Sequence, residues 1–283
     1  MDTLLYPVAR LLIALLQALP LTLVARIGRA VGALVYRLDA RHRRVALQNL
    51  EMCFGNKKSP EEIRALAREN FRRVGENFAC AIKTSAMSWN ELRPHVEFVG
   101  TDRLLPPRRV VAAIGHFGNF ELYARFGQFL PGYQCATTYR ALNQPALNRL
   151  MQKLRERSGC LFFERRADGP LLRAAMNRQG IILGLLADQS MNGLRGPFLG
   201  HDCSTTLAPA VFALRYHCAL HTGICYRTGL AQWRIEVGPE IPTHENGAPR
   251  PTGVIMRDVN RILEDAVRRD PANWFWVHRR WKD

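Results

Sequence analysis

At 283 residues, with 47% of them apolar, the chain can enclose a sizeable core as one large domain or two small ones. Its 40 Lys+Arg against 24 Asp+Glu leave a net charge of +16, which excludes an acidic surface and favours anionic partners: nucleic acid, lipid head groups or an acidic carrier protein. Seven cysteines (Cys53, Cys80, Cys135, Cys160, Cys203, Cys218 and Cys225) form no CxxC pair, which excludes a disulfide framework and predicts reduced, mostly buried thiols on a cytosolic-facing body.

The first segment, Leu4 to Val24, is apolar apart from Arg10 and Gln17. Its length approaches that of a membrane-spanning helix, but Pro7 and Pro20 leave a shorter clean stretch between them. Leu21 to Arg44 then reads as an amphipathic helix. Leu23, Ile27, Val31, Leu34, Val35 and Leu38 recur at helical spacing, and Arg26, Arg29, Arg37, Arg41, Arg43 and Arg44 crowd the polar side and its exit. Residues 1–45 are therefore expected to attach the protein to the cytoplasmic face of an anionic membrane, with the remaining chain, 46–283, forming the globular domain.

Ser59-Pro60-Glu61-Glu62 opens a helix expected to run to about Ser85, followed by a short helix near Trp89–Arg93 and a strand at Val96–Val99. From Val110 onward the pattern alternates. Strands are expected at Val110–Ile114, Cys135–Tyr139, Leu161–Phe163, Ile181–Leu186, Leu220–Tyr226 and Trp233–Val237. Helices are expected at Asn119–Phe129, Pro145–Arg157, Pro170–Arg178, Ala208–Tyr216 and Val254–Arg269. This is the pattern of an α/β fold with a largely parallel central sheet flanked by helices, whose reactive groups gather at the carboxyl ends of the strands.

That rule singles out His116, which follows the strand Val110–Ile114 in VVAAIGHFGNFE. Glu121 stands five positions on, so the two can meet only if His116 lies in a turn and Glu121 in the first turn of the next helix. Gly115 and Gly118 give the turn its freedom, and Asn119 is the expected N-cap. An imidazole held by a carboxylate suits deprotonation of a hydroxyl that attacks an acyl carbon. Arg140 ends the next strand, Arg155 and Arg157 sit on the helix after it, Arg165 and Arg166 follow the third strand, and Asp188-Gln189 follows Ile181–Leu186. The arginines suit phosphate, and Asp188 suits orienting an arginine or a substrate head group. Gly193 to Gly200 reads as a Gly/Pro-punctuated loop.

Other clusters carry less. His217 and His221, four apart near Cys218 and Cys225, lack a further ligand for a metal. His201-Asp202-Cys203 lacks the GxSxG elbow of a hydrolase. The tail Asn273–Lys282, NWFWVHRRWK, interleaves tryptophans with basic residues, a pattern that suits a membrane interface or single-stranded nucleic acid.

HFGNFE resembles the H-x4-D/E motif of glycerolipid and lipid A acyltransferases. With TTYRALNQPALNRLM, LRERSG, LLADQS, GPFLG and TTLAPA, and WFWVHRRWK following in order, nearly the whole chain resembles the late acyltransferases of lipid A biosynthesis (the lauroyl/myristoyl transferases). The resemblance implies an inner-membrane enzyme whose catalytic domain faces the cytoplasm. It would move a fatty acyl chain from acyl carrier protein to a hydroxyl on an acyl chain of a lipid A precursor, an anionic glycolipid, without metal or other cofactor. It implies His116 and Glu121 as the catalytic pair, with Glu121 fixing the imidazole tautomer, and Arg155 and Asp188 as further site residues; from their own positions Arg140, Arg166 and Asn119 are expected beside them on the substrate side. Two other readings are an acyltransferase acting on lysophospholipid or another lipid, and a basic non-enzymatic nucleic-acid-binding protein.

Overall fold

The computed structural model describes residues 2–191 and 193–281. Helices α1 (Asp2–Ala18) and α2 (Leu21–Leu38) are separated at Pro20. Among the described residues no helix is long and apolar enough to cross a membrane. Both helices nevertheless expose apolar stripes, Val8, Leu11, Leu12 and Leu15 on α1 and Leu23, Val31, Leu34, Val35 and Leu38 on α2. The periodic leucines and valines of α2 are thus its outer face, and its inner face is built from Leu21, Val24, Ala25, Gly28 and Gly32.

The two glycines let α2 lie directly on α4 (Pro60–Thr84), reached after α3 (Ala40–Phe54). A Cβ on Gly32 would sit 2.1 Å from the Phe71 carbonyl oxygen, and one on Gly28 2.6 Å from that of Gly75. Across this contact Arg29 meets Glu69 at 2.9 Å and Glu76 at 3.3 Å. Glu76 is fully buried and also accepts from Arg227 Nε at 2.9 Å and from the Ala231 amide at 3.0 Å. The amino-terminal helices are therefore tied to the body of the protein, and α3 runs through position 45. Helix α4 begins where the sequence places it, because the Ser59 hydroxyl accepts from the Glu62 amide while the Glu62 carboxylate accepts from the Ser59 amide.

After the single turn α5 (Trp89–Leu92) come β1 (Val96–Val99), β2 (Val110–Ile114), β3 (Gln134–Tyr139), α6 (Pro145–Arg155), β4 (Leu161–Glu164), α7 (Gly169–Met176) and β5 (Ile181–Leu186). The hairpin β6 (Leu194–Phe198) and β7 (His201–Thr205) follows, then α8 (Ala208–Arg215), β8 (Ala219–Gly229), β9 (Gln232–Val237) and α9 (Thr252–Arg269). Seven strands form one sheet in the order β1-β9-β8-β2-β5-β3-β4. All neighbours are parallel except β8 and β9. The expected α/β architecture with a mostly parallel sheet is present, and β2 lies at its centre between β5 and β8.

Three expectations are corrected. The segment Gly193–Gly200 contains a strand of an antiparallel hairpin rather than only loop, with Pro197 tolerated in a two-stranded ribbon that has free edges. The element after His116 is a 3-10 helix, Phe120–Gln128. The tryptophan-rich tail is not an interface: Trp274 and Trp276 are buried, and the fully buried Arg280 donates to the Ser204 carbonyl at 3.0 Å and the Thr205 hydroxyl at 2.8 Å. Asn49 and Asn70, from α3 and α4, donate to backbone carbonyls of Trp276, His278, Ala272 and Trp274 and hold the tail in place. Lys282 lies outside the described residues.

The seven thiols are free, and burial raises every one above its ordinary pKa, those of Cys53, Cys80 and Cys135 to about 12. Protonated and largely enclosed, they pack as small apolar groups rather than acting as nucleophiles.

Candidate active site

The register of the central strands builds the site. In the parallel pair β2–β5, Ile114 lies opposite Leu186, so the residues two beyond each end, His116 and Asp188, emerge side by side. His116 Nδ1 is 2.8 Å from Asp188 Oδ1, and the His116 backbone amide donates to Asp188 Oδ2 at 2.7 Å. Trp274 from the tail donates its indole N–H to the same Oδ2 at 2.8 Å. The carboxylate is 1% exposed and the imidazole 15%. Burial by itself would raise the Asp188 pKa; the adjacent His116, its ring and backbone hydrogen bonds and the Trp274 indole outweigh that and bring it down to about 2. Asp188 is therefore an anion that fixes the Nδ1–H tautomer and leaves Nε2 as the basic nitrogen. Gln189 Nε2 lies 3.4 Å from that nitrogen. Phe120 and Phe275 pack beside the ring, with centroids 5.0 and 5.9 Å away.

The histidine loop is held in shape from behind. Gly118 has φ 50°, and a Cβ there would lie 2.6 Å from the Cys225 carbonyl oxygen. Its amide donates to the Asn273 carbonyl at 3.1 Å, and Asn273 Nδ2 donates to Cys225 O at 2.9 Å.

The expected pairing of His116 with Glu121 is replaced by His116 with Asp188. Glu121 forms a two-point ion pair with Arg155, at 2.7 and 3.2 Å, and the Arg155 guanidinium also lies over Phe162 at 4.9 Å. The reason is chain path: the tight 3-10 turn after Asn119 sends Glu121 toward α6, whereas the sheet register brings Asp188 to the imidazole. Asn119 caps without a side-chain hydrogen bond to the helix; it is buried, with Nδ2 3.5 Å from the Thr84 hydroxyl. Arg140, Arg155 and Arg165 reach the cavity that His116 borders, while Arg166 is exposed and does not line it.

That cavity has a volume of about 430 Å³. It runs along one face of the sheet under the 3-10 helix. Its floor includes Val110, Ala112 and Ile114 of β2, Gly184 of β5 and Gly223 of β8, and its roof Tyr123 and Phe126. From Ile114 to Val110 the strand rise gives a depth of about 13 Å. His116, Arg140 and Arg165 stand at the strand-end side, the Arg155 guanidinium lies over Phe162 near the start of β4 with Glu121 bound to it, and the apolar residues of β2 run between, so the site joins a base to a greasy tunnel. His221 is buried on the tunnel wall with Nδ1 3.0 Å from the Gly238 carbonyl oxygen, not paired with His217. His201 Nε2 lies 2.9 Å from the Met52 carbonyl oxygen, far from this chemistry in the β6–β7 hairpin. Among the described residues no group of three or more His, Cys, Asp or Glu could hold a metal ion.

Sequence reasoning did not find Trp274 as part of the site. Its only signal is its place in an aromatic, basic tail, and nothing local says that the tail folds under β2.

Residues 5–283 match the profile of the bacterial lipid A biosynthesis acyltransferases. The lipid A biosynthesis palmitoleoyltransferase of Escherichia coli (strain K12) is 26% identical over 279 residues, covering 93% of this chain and 86% of that protein. The lauroyltransferase of the same strain is 24% identical over 283 residues, covering 95% and 88%. A lipid A biosynthesis acyltransferase of Haemophilus influenzae is 26% identical, covering 93% and 86%. With an imidazole–carboxylate pair at the mouth of an apolar tunnel and a match across nearly its whole length, the chain belongs to the bacterial lipid A biosynthesis acyltransferase family.

Proposed function

We propose that the protein transfers a fatty acyl group from the thioester of acyl carrier protein to a hydroxyl of an anionic lipid A precursor, with His116 as the general base. The observation that carries this reading is the His116–Asp188 pair at the mouth of the apolar tunnel. His116 Nε2 takes the proton of the acceptor hydroxyl while its oxygen attacks the thioester carbonyl. In the opening turn of the 3-10 helix the Phe120 and Leu122 amides already donate to the Gly118 and Asn119 carbonyls, so the donor assigned to the developing oxyanion is the Glu121 amide. The tetrahedral intermediate then expels the thiolate, which takes the proton back from the imidazolium. Asp188 steadies that cation, and general-base catalysis of this kind contributes roughly 10²–10⁴-fold.

The donor's acyl chain lies in the tunnel. Arg140 and Arg165 at its mouth face the acceptor's phosphates or the acidic carrier. Glu121 serves as a positioning residue that holds Arg155 in a bidentate geometry rather than as the partner of the base. The exposed stripes of α1 and α2, with the arginines that follow them, seat the protein on the cytoplasmic face of the inner membrane without crossing it.

The test is His116→Ala. Acyl transfer should fall at least 10³-fold, on the order of what removing a catalytic base costs, while the melting temperature and vesicle binding stay near wild type. Wild-type turnover in that variant refutes the assignment. Lipid mass spectra from cells with and without the gene check the acceptor, since a change confined to phospholipids would reject lipid A.

A further inference from the structure

Away from the tunnel, a smaller pocket of about 240 Å³ lies between α1, residues 85–86 after α4, and α6 with the turn Glu156–Ser158 that ends it. Arg10 of α1, Lys153 of α6 and Arg157 of the turn stand on its wall, and no Asp or Glu does. All three cations are exposed, and among the described residues none pairs with a carboxylate. Arg10 lies over the Tyr6 ring at 5.8 Å, and Arg157 donates to the Ala86 carbonyl at 3.2 Å. A fourth cation stands behind the wall, where Lys83 Nζ donates to the Gln17 carbonyl at 2.6 Å. Arg261, Arg268 and Arg269 of α9, by contrast, are each matched by an acid. Like charges gathered from separate elements around one opening repel each other, and an anion seated among them relieves that repulsion.

We propose that this pocket binds the phosphate of an anionic phospholipid head group, a site separate from the chemistry that clamps α1 and α6 to one lipid of the bilayer. It rests on the membrane seating given above and not on the acyl-transfer step. Depth favours a lipid as the source of the phosphate. Arg10 lies about 100–160° around α1 from Val8, Leu11, Leu12 and Leu15. A helix whose apolar stripe sinks to the acyl boundary holds its opposite side among the head groups, so Arg10 and the pocket beside it stand at the level of lipid phosphates. Size favours a small group. A helix of a partner protein, about 10 Å across, needs roughly 400 Å³ for each turn, more than the pocket holds, whereas a phosphate with its glycerol fits.

The test removes the three charges together in the full-length protein, as Arg10→Gln, Lys153→Gln and Arg157→Gln. Flotation with phosphatidylcholine vesicles containing phosphatidylglycerol should weaken about fivefold for each cation lost, on the order of 100-fold for all three. The melting temperature should not move. A control that loses the exposed Arg178, Arg215 and Arg257 has the same net charge and should stay close to wild type. Vesicles brought to the same surface potential with oleate in place of phosphatidylglycerol should bind the wild type more weakly, and the pocket variant should not distinguish the two. The inference is overturned if both triple variants lose binding equally, which is a diffuse charge effect, or if the wild type floats equally with both kinds of vesicle. It is also overturned if, in neutral detergent micelles, the pocket variant raises KM for the glycolipid acceptor, which makes the acceptor's own phosphate the occupant, or for the carrier thioester, which makes it the acidic carrier. Inorganic phosphate that raises the melting temperature of the wild type but not of the pocket variant, with flotation unchanged between them, would make it a site for the free anion and reject the lipid. A wild type that floats with no vesicle removes the seating itself, a result distinct from all of these.

Discussion

Replacing Asp188 with Asn changes one atom and separates orientation from packing. Oδ2 accepts two hydrogen bonds, from the His116 amide at 2.7 Å and the Trp274 indole at 2.8 Å, whereas Oδ1 accepts one, from Nδ1 at 2.8 Å. The Asn oxygen will therefore take the Oδ2 position, where two donors converge, and its NH2 will face Nδ1. Nδ1 must then accept, the imidazole proton moves to Nε2, and the nitrogen that should act as base becomes a donor. The same tautomer inversion in serine proteases costs about 10⁴-fold, so acyl transfer should fall by roughly 10³–10⁴-fold with little change in KM for either substrate. Stability should change too. A carboxylate held at about 2 in the folded protein against 3.8 ordinarily contributes about 2 kcal/mol near neutral pH. Because the folded pKa is the lower one, that contribution is complete above about 4 and disappears as pH falls toward 2. The stability gap between wild type and Asp188→Asn should close over that same interval. Initial rates with an acyl carrier protein thioester, together with urea titrations at neutral and acidic pH, measure both effects. Near-wild-type turnover in Asp188→Asn, with abolished turnover in Glu121→Gln, would refute the reasoning and return the base's partner to Glu121.

Glu121→Gln breaks a pair whose side chains are 26% and 20% exposed, so stability should fall by under about 1 kcal/mol. KM for the anionic acceptor should still change by about tenfold as Arg155 loses its orientation, a split that steady-state kinetics resolves. Gly32→Ala forces a Cβ to within 2.1 Å of the Phe71 carbonyl oxygen. It should destabilise by roughly 1–3 kcal/mol or more through overpacking, lowering the melting temperature by several degrees in calorimetry. Leu34→Glu, on the exposed stripe of α2, should weaken flotation with anionic vesicles at least about tenfold, since it removes about 1.5–3 kcal/mol of apolar burial. Its melting curve should remain wild type.

The alternation of the sheet was readable because its strands are continuous apolar runs covered on both faces, and β2 and β5 coincide with their expected bounds. The site was readable to the extent that it follows the rule for strand ends. That rule located His116, Arg140 and Asp188, but not which carboxylate meets the imidazole. The choice depends on β2 and β5 being neighbours in register, 72 residues apart in the chain, a property of strand order rather than of either segment. Five-residue spacing made Glu121 the local candidate, and the 3-10 turn took it elsewhere. On α2 the periodicity was visible but not its orientation, since Gly28 and Gly32, which carry no hydrophobic signal, form the packed face. In the tail the tryptophans and Arg280 look amphipathic as a string; their burial depends on Asn49 and Asn70, more than 200 residues earlier.

The indole hydrogen bond from Trp274 gives the order of synthesis a chemical meaning. A chain growing on the ribosome can lay down β2 and β5, and so bring imidazole and carboxylate together, long before residue 274 is made. Until that late segment threads beneath the sheet, the carboxylate lacks one of its three donors and the histidine loop lacks its tie to Asn273. A chain made only as far as residue 273 would thus hold imidazole and carboxylate together without the indole donor on Oδ2.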